Sequence, residues 1–249
     1  MSSDRLIAIL TLLAERESSL SPANTLCAVA AEVTHVSGAG ISLAAANEVT
    51  ATICASNGTA QTLMNAETTV GEGPCVDASS LGSLIEEDNL LTTIDHRWAS
   101  YRPSALAAGA RAVYAYPVRV GAIRLGALCL YRDRAGSLSA DEESDGYLMA
   151  SVIGRSILSL QASVPEEQLA TALERAANLD FAIHQAAGML SVQASLTVRD
   201  ALVSLRAHAF ATNIALAILA GEVVGRSTHF DPVTQEWMRD GGTDRRGSR

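Results

Sequence analysis

Apolar residues recur in two different rhythms along the chain, and the changes of rhythm mark its parts. At the start, the run Leu6 to Leu13 lies among Asp4, Arg5, Glu15, Arg16 and Glu17, which predicts an amphipathic helix over Asp4 to Glu17. Ser21-Pro22 offers an N-cap followed by proline at the first helical position. Leu26, Val29, Ala30, Val33 and Val36 then recur at helical spacing up to a stop at Gly38. The rhythm changes to strand-like stretches over Ala39 to Ala46 and Val49 to Ser56, with a turn at Asn47. Asn57-Gly58 is a turn signal, and Thr59 to Asn65 reads as a short helix.

A Gly/Pro-rich loop, GEGPCVDA at 71–78, leads into another short helix, and Leu84 to Glu87 is a strand candidate. Trp98 to Gly109 reads as loop plus helix. Ala112 to Arg119 and Leu125 to Tyr131 read as a hairpin turning near Gly121. Ser139 with Glu142 three residues on is a capping box for a helix that runs to about Ala162.

Beyond it only the helical rhythm remains. Ser163-Val164-Pro165-Glu166 is a boundary, because Pro165 removes a backbone donor and restricts Val164. A first helix over Glu166 to Ser191 carries Leu169, Leu173, Ala176, Ile183, Ala187 and Leu190 on one stripe. A second starts at Thr197, with Asp200 three residues on, and is expected to bury Val198, Ala201, Leu202 and Leu205. Asn213 is a natural N-cap for a third, which places Leu216, Leu219, Ala220 and Val223 inside and stops at Gly225. The fold class is therefore α+β: an antiparallel sheet flanked by helices, then an all-α three-helix bundle. Residues 227–249 are assigned to a flexible tail, on the polar stretch Gly241 to Arg249.

Composition narrows the function classes. The net charge of −9 repels nucleic acid at long range unless a local patch overrides it. No run reaches the ~20 apolar residues that span a bilayer, and the N-terminus does not read as a signal peptide, so no membrane partner is expected and the cytoplasm is the expected compartment. Cys27, Cys54, Cys75 and Cys129 form no CxxC or CxH pair, so no metal or cofactor is expected from spacing. In that compartment they read as reduced, buried thiols, with a redox-sensing pair as the alternative. No Ser/His/Asp order, P-loop or HExxH is present, so no enzyme is expected.

Residues 1–162 resemble a GAF domain, of the kind found upstream of ANTAR domains in actinobacteria. The resemblance rests on GEGPCVDA at 71–78, Ile94-Asp95-His96-Arg97-Trp98, and YPVRVGAIRLGALCLY at 116–131. It implies a sensor with a small-molecule pocket over the sheet, for which Cys75, Asp77, His96 and Trp98 are the candidate lining residues. The start of the helix at Asp77-Ala78 would offer N–H groups to an anion, although Glu72 and Asp77 oppose a phosphate there; the alternative is a structural turn. Methionine sulfoxide reduction, known among GAF proteins, would need cysteines around such a pocket, but Cys54 and Cys129 read as core.

Residues 163–226 resemble an ANTAR domain, through Gln185-Ala186-x-Gly188-Met189-Leu190, Asp200-Ala201-Leu202, Leu205-Arg206 and Thr212-Asn213. This resemblance implies an antitermination regulator that binds tandem hexaloop hairpins in nascent mRNA, with Gln185, Ala186, Gly188, Arg206 and Asn213 as the RNA-binding residues. The chain departs from that family where basic or polar residues usually stand: Ala187, Ala207, Ala211, Ile214, Ala215 and Ala217 replace them. Six acids against three arginines between Pro165 and Gly225 leave this part at −3. Loss of phosphate contacts weakens RNA binding. The alternative is a ligand-sensing or dimerisation module whose bundle no longer binds RNA. Ile214, Ala215, Ala217 and Ile218 are expected to form an apolar face that packs on a partner subunit or on the sensor domain, which predicts a homodimer or an autoinhibited packing that hides the RNA surface.

Overall fold

The computed structural model describes residues 3–16, 21–45, 48–92, 97–163, 182–212, 214–231, 234 and 236–239. The chain divides into two compact units, Met1–Ala172 and Leu173–Arg249. The boundary expected at Pro165 lies outside the described residues, as does the first part of the helix expected from Glu166.

In the first unit, α1 (Ser3–Arg16) and α2 (Pro22–Val33) precede β1 (Gly38–Ala45) and β2 (Glu48–Ala55). Then come α3 (Gly58–Val70), α4 (Pro74–Leu81), β3 (Ile85–Glu87), α5 (Tyr101–Ala107), β4 (Ala112–Val120), β5 (Ile123–Arg132) and α6 (Ala140–Ser163). The strands form one sheet in the order β2-β1-β5-β4-β3, with every neighbour antiparallel. Helix is covalently local, and its ends are where the sequence decides most. Ser21 Oγ accepts the Asn24 N–H at 3.4 Å and starts α2. Ser139 N–H donates to Glu142 Oε2 at 2.7 Å, and Glu142 N–H to Ser139 Oγ at 3.3 Å, which closes the expected capping box of α6. Gly38 does not end α2; the helix stops at Val33, and Gly38 opens β1.

Because successive strand residues point to opposite faces, β4 serves two cores. Ala112, Tyr114, Tyr116 and Val118 pack with α1, α2 and α6. Val113 and Ala115 pack on the other side with α3, α4, α5 and with Ala127, Cys129 and Tyr131 of β5. The sheet is thus a middle layer covered on both faces, and the second face carries the residues of interest. Close approach in this sheet needs Gly126: a Cβ there would stand 1.9 Å from the Ser42 carbonyl oxygen of β1.

One expectation about the cysteines fails. Cys27 of α2 and Cys54 of β2 form a disulfide, so only Cys75 and Cys129 are free thiols. Their spacing of 27 residues gave no sign of it; the sheet brings them together. Among the described residues no single helix is long and apolar enough to cross a membrane.

The second unit holds α7 (residues 182–194), α8 (Val198–Thr212) and α9 (Leu216–Val224). Ile183, Ala186, Leu190, Ala201, Leu205, Ala209, Leu216, Leu219, Ala220 and Val223 form its core. Thr197 Oγ1 accepts the Asp200 N–H at 3.2 Å, the expected cap of α8. Val198, expected inside, is 52% exposed, since it lies in the first turn before the stripe of Ala201 and Leu205 turns inward. The third helix starts at Leu216 with Ala215, not Asn213, at its N-cap and with no side-chain cap; Asn213 itself lies outside the described residues. Part of the expected tail is structured. β6 (Thr228–Asp231) and β7 (Glu236–Arg239) pair as a hairpin, and Phe230 and Trp237 pack on the helical core. Apolar burial explains the difference: those two rings cover the open side of the bundle.

Candidate functional site

The first cluster lies between the sheet and α3, α4 and α5. Helix α4 begins at a proline with Gly73 at its N-cap and no side chain of its own to cap it. Its first N–H groups need an acceptor, and Glu67 of α3 supplies one. Glu67 Oε2 accepts from Cys75 N–H at 2.8 Å and from Val76 N–H at 3.3 Å. The helix start that the sequence offers to an external anion is therefore occupied by a carboxylate of the same chain. The other acids of the 71–78 loop also bond within the chain. Glu72 Oε1 accepts the backbone N–H groups of Ser100 and Tyr101 at the start of α5. Asp77 Oδ2 accepts from the Trp98 indole N–H at 3.0 Å and from the Arg97 guanidinium at 3.2 and 3.3 Å.

Arg97 also lies over the Trp98 ring, 4.4 Å from its centroid. Trp98 is buried at a backbone φ of +56°, a region that bulky residues rarely adopt. Of the four residues expected to line a ligand pocket, Asp77 and Trp98 meet directly and Cys75 lies in the core beneath them. His96 lies outside the described residues.

Glu67, Cys75 and Tyr101 are fully buried, and Cys129 is buried with 7% of its surface exposed. Glu67 Oε1 accepts the Cys129 thiol at 3.4 Å. One ligand atom from each of Glu67, Cys75 and Cys129 lies within 4.8 Å of the others. Among the described residues the Tyr101 hydroxyl has no hydrogen-bond partner. Burial pushes the Glu67 carboxyl up to about 8, against hydrogen bonds from Cys129, Cys75 and Val76 that lower it. Burial likewise pushes the Cys75 thiol up to about 11. Cys129 lies well above the ordinary thiol range, through its hydrogen bond with Cys75 and its burial. Thiols held protonated in this way are poor nucleophiles. A cavity of about 10 Å³, the scale of one water, lies beside Gly40, Met64, Tyr101 and Cys129.

Sequence reasoning missed Glu67, having ended that helix at Asn65. The available signal was an acid in an apolar stretch, followed by a proline-started helix with glycine before it. Cys129 was read as core only, which is true of its burial but not of its neighbours.

The second cluster lies in the helical unit. Gln185 is exposed on α7, and Gly188 is half-buried with nothing within 4 Å of where a Cβ would be. Both line a groove of about 870 Å³ with Met189, Val192, Gln193, Arg226, His229 and Phe230. The Phe230 N–H donates to Gln193 Oε1 at 3.3 Å and fixes the β6 edge against α7. Ala186, expected at an RNA surface, is fully buried. Helical spacing puts it on the stripe of Ile183 and Leu190, so it cannot touch RNA. Ala187 is buried as well, so a long basic side chain has no room there. Arg206 is half-buried on α8, outside the lining of the groove. Of the expected apolar face, only Ile218 is largely exposed, at 60%, while Ile214 packs on the bundle core. His229 and Phe230 were hidden from sequence reasoning by their assignment to a tail, and Arg226, the last residue of the expected helical domain, carried no motif.

No protein-family model matches the chain, and no curated protein matches it. Among solved structures it is similar to the GAF domain of an Acinetobacter phosphoenolpyruvate-protein phosphotransferase, at 16% identity over 67% of this chain and 99% of that one, with a TM-score of 0.46. It is also similar to the GAF domain of the cyanobacteriochrome TePixJ, at 18% identity over 55% of this chain and 87% of that one, with a TM-score of 0.43. At these values no ligand or activity transfers.

Proposed function

We propose that the chain is a cytoplasmic, non-catalytic regulator, in which a GAF-type sensor unit is paired with an ANTAR-type bundle that binds hairpin RNA. The observation that carries the RNA part is the groove between α7 and β6. It sets Gln185 and the open backbone at Gly188 beside Arg226, His229 and Phe230. Unpaired RNA bases stack on aromatic rings and guanidinium planes and hydrogen-bond to amides, and this lining offers each of those. The groove also answers the missing basic residues, because Arg226, just past the end of α9, lines the same surface. Two copies of the chain would engage two hairpins and multiply a weak contact, which is why a homodimer belongs to the reading. Anisotropy titration of the full chain with a tandem hexaloop RNA, at two salt concentrations and beside a single-hairpin control, tests it. Salt-sensitive preference for the tandem RNA supports the reading, and no binding at low salt refutes it.

The second reading is a bundle that serves protein contacts. It draws on the exposure of Val192 at 81%, Ile218 at 60% and Val203 at 59%, and absence of RNA binding with a concentration-dependent oligomer would favour it.

A further inference from the structure

We propose that Glu67, Cys75 and Cys129 form a buried site for a thiophilic divalent cation of the Zn²⁺ class, with the Tyr101 hydroxyl beside it. Four elements contribute: α3 through Glu67, α4 through Cys75, β5 through Cys129 and α5 through Tyr101. Capping of α4 uses only Oε2 of Glu67. Its second oxygen turns away from the helix start and faces the Cys129 thiol, and the Cys75 sulfur completes a group whose ligand atoms lie within 4.8 Å of one another. A structural cap needs no pair of thiols on its far side. Burying a carboxyl among sulfurs costs free energy that an apolar residue would avoid, and a cation offsets that cost.

The Tyr101 hydroxyl is the independent sign. It is fully buried in the same cluster as Cys75 and Cys129, and has no hydrogen-bond partner among the described residues. A hydroxyl in that position can donate to a metal-bound thiolate or occupy a fourth position. Two sulfurs and one carboxylate oxygen select zinc-like ions over magnesium or calcium, which take all-oxygen sets. As the cation enters, the two thiol protons and the proton that the Glu67 carboxyl carries at neutral pH leave to solvent, and the sulfurs and the carboxylate bind as anions. The inference rests on the sensor reading only in making this ion the signal; binding itself requires only the first unit.

The test uses the full-length chain purified from zinc- and from cobalt-supplemented cultures. Metal content by mass spectrometry is expected at about one equivalent per chain, with thiolate-to-cobalt charge transfer in the near-ultraviolet. Cys75→Ser and Cys129→Ser are expected to lose that absorption. Glu67→Gln, which keeps the cap on α4, is expected to weaken zinc affinity by about tenfold or more. The double variant Cys27→Ser with Cys54→Ser is expected to keep the absorption. Wild-type protein that carries no zinc or cobalt overturns the proposal, whatever the variants do, and so does charge transfer that survives Cys75→Ser and Cys129→Ser. Tandem-RNA titration of the same preparations separates the two readings: metal without RNA binding leaves the site standing and removes the RNA reading, and RNA binding without metal does the reverse.

Discussion

Glu67 reaches the first turn of α4 through the space that Gly73 leaves open. A Cβ on Gly73 would stand 2.4 Å from Glu67 Cγ, and the backbone there has a φ of +146°. Both facts forbid a side chain. Gly73→Ala is therefore expected to destabilise the first unit by about 2–4 kcal/mol, read as a lowered denaturant midpoint with an unchanged slope. A loss of less than about 0.5 kcal/mol would mean that Glu67 does not sit under this loop.

Replacing the acid itself separates shape from charge. Glu67→Ala leaves the buried N–H of Cys75 without an acceptor and opens space beside Cys129, at an expected cost of about 2–4 kcal/mol. Glu67→Gln retains an oxygen for both N–H groups and is expected to cost about 1 kcal/mol or less. Chemical denaturation of the two variants in the presence of a chelator checks the order. Equal losses would show that the acceptor geometry is not what matters.

The hairpin of the second unit is expected to be pH-sensitive. His208 stacks on Trp237 with ring centroids 4.4 Å apart. Burial and the nearby Arg239 hold the His208 imidazole below its ordinary 6.5, while Glu222 works in the other direction. A folded-state value below the unfolded one means that this contribution to stability is complete above pH 6.5 and is lost as pH falls below it. In a Trp98→Phe background, Trp237 emission is expected to change as the pH drops from about 7.5 to about 5, and His208→Gln should abolish the change. A pH-independent Trp237 signal contradicts the stack.

The cysteine pattern gives a count. Denatured without reductant, the chain is expected to alkylate only at Cys75 and Cys129, and at all four cysteines after reduction. Closing a loop of 27 residues is expected to contribute about 3.5 kcal/mol, so reduction should lower the unfolding midpoint. Four reactive thiols before reduction would restore the reading of the chain as fully reduced, as the cytoplasm favours.

What the sequence made legible was local. Ser21, the Ser139–Glu142 pair and the Thr197–Asp200 pair act over three residues, and each capped the helix expected of it. The Gly121 hairpin followed from its flanking strand rhythm, with Gly121 at a φ of +60°. What stayed hidden depended on distance along the chain. Glu67 meets its partners eight, nine and 62 residues away, and no spacing rule links it to Cys129. Cys27 and Cys54 meet only because α2 packs beside β2. The β6–β7 hairpin has strands of four residues each, too short for a clear alternation, and its two aromatic rings were the sole mark of a buried face. On α7, Gln185 and Ala186 are neighbours in sequence, yet one is exposed and the other fully buried. Resemblance named both, and the helical stripe admits only the first.

The proposed function puts RNA in the groove between α7 and β6. Photo-crosslinking a tandem hexaloop RNA to the full-length chain, followed by peptide mapping, tests it directly. Crosslinks are expected within residues 182–194 and at Arg226, His229 and Phe230, and Arg226→Ala should reduce them. Crosslinks confined to the first unit, or a yield no greater than that of a scrambled RNA, would contradict the account.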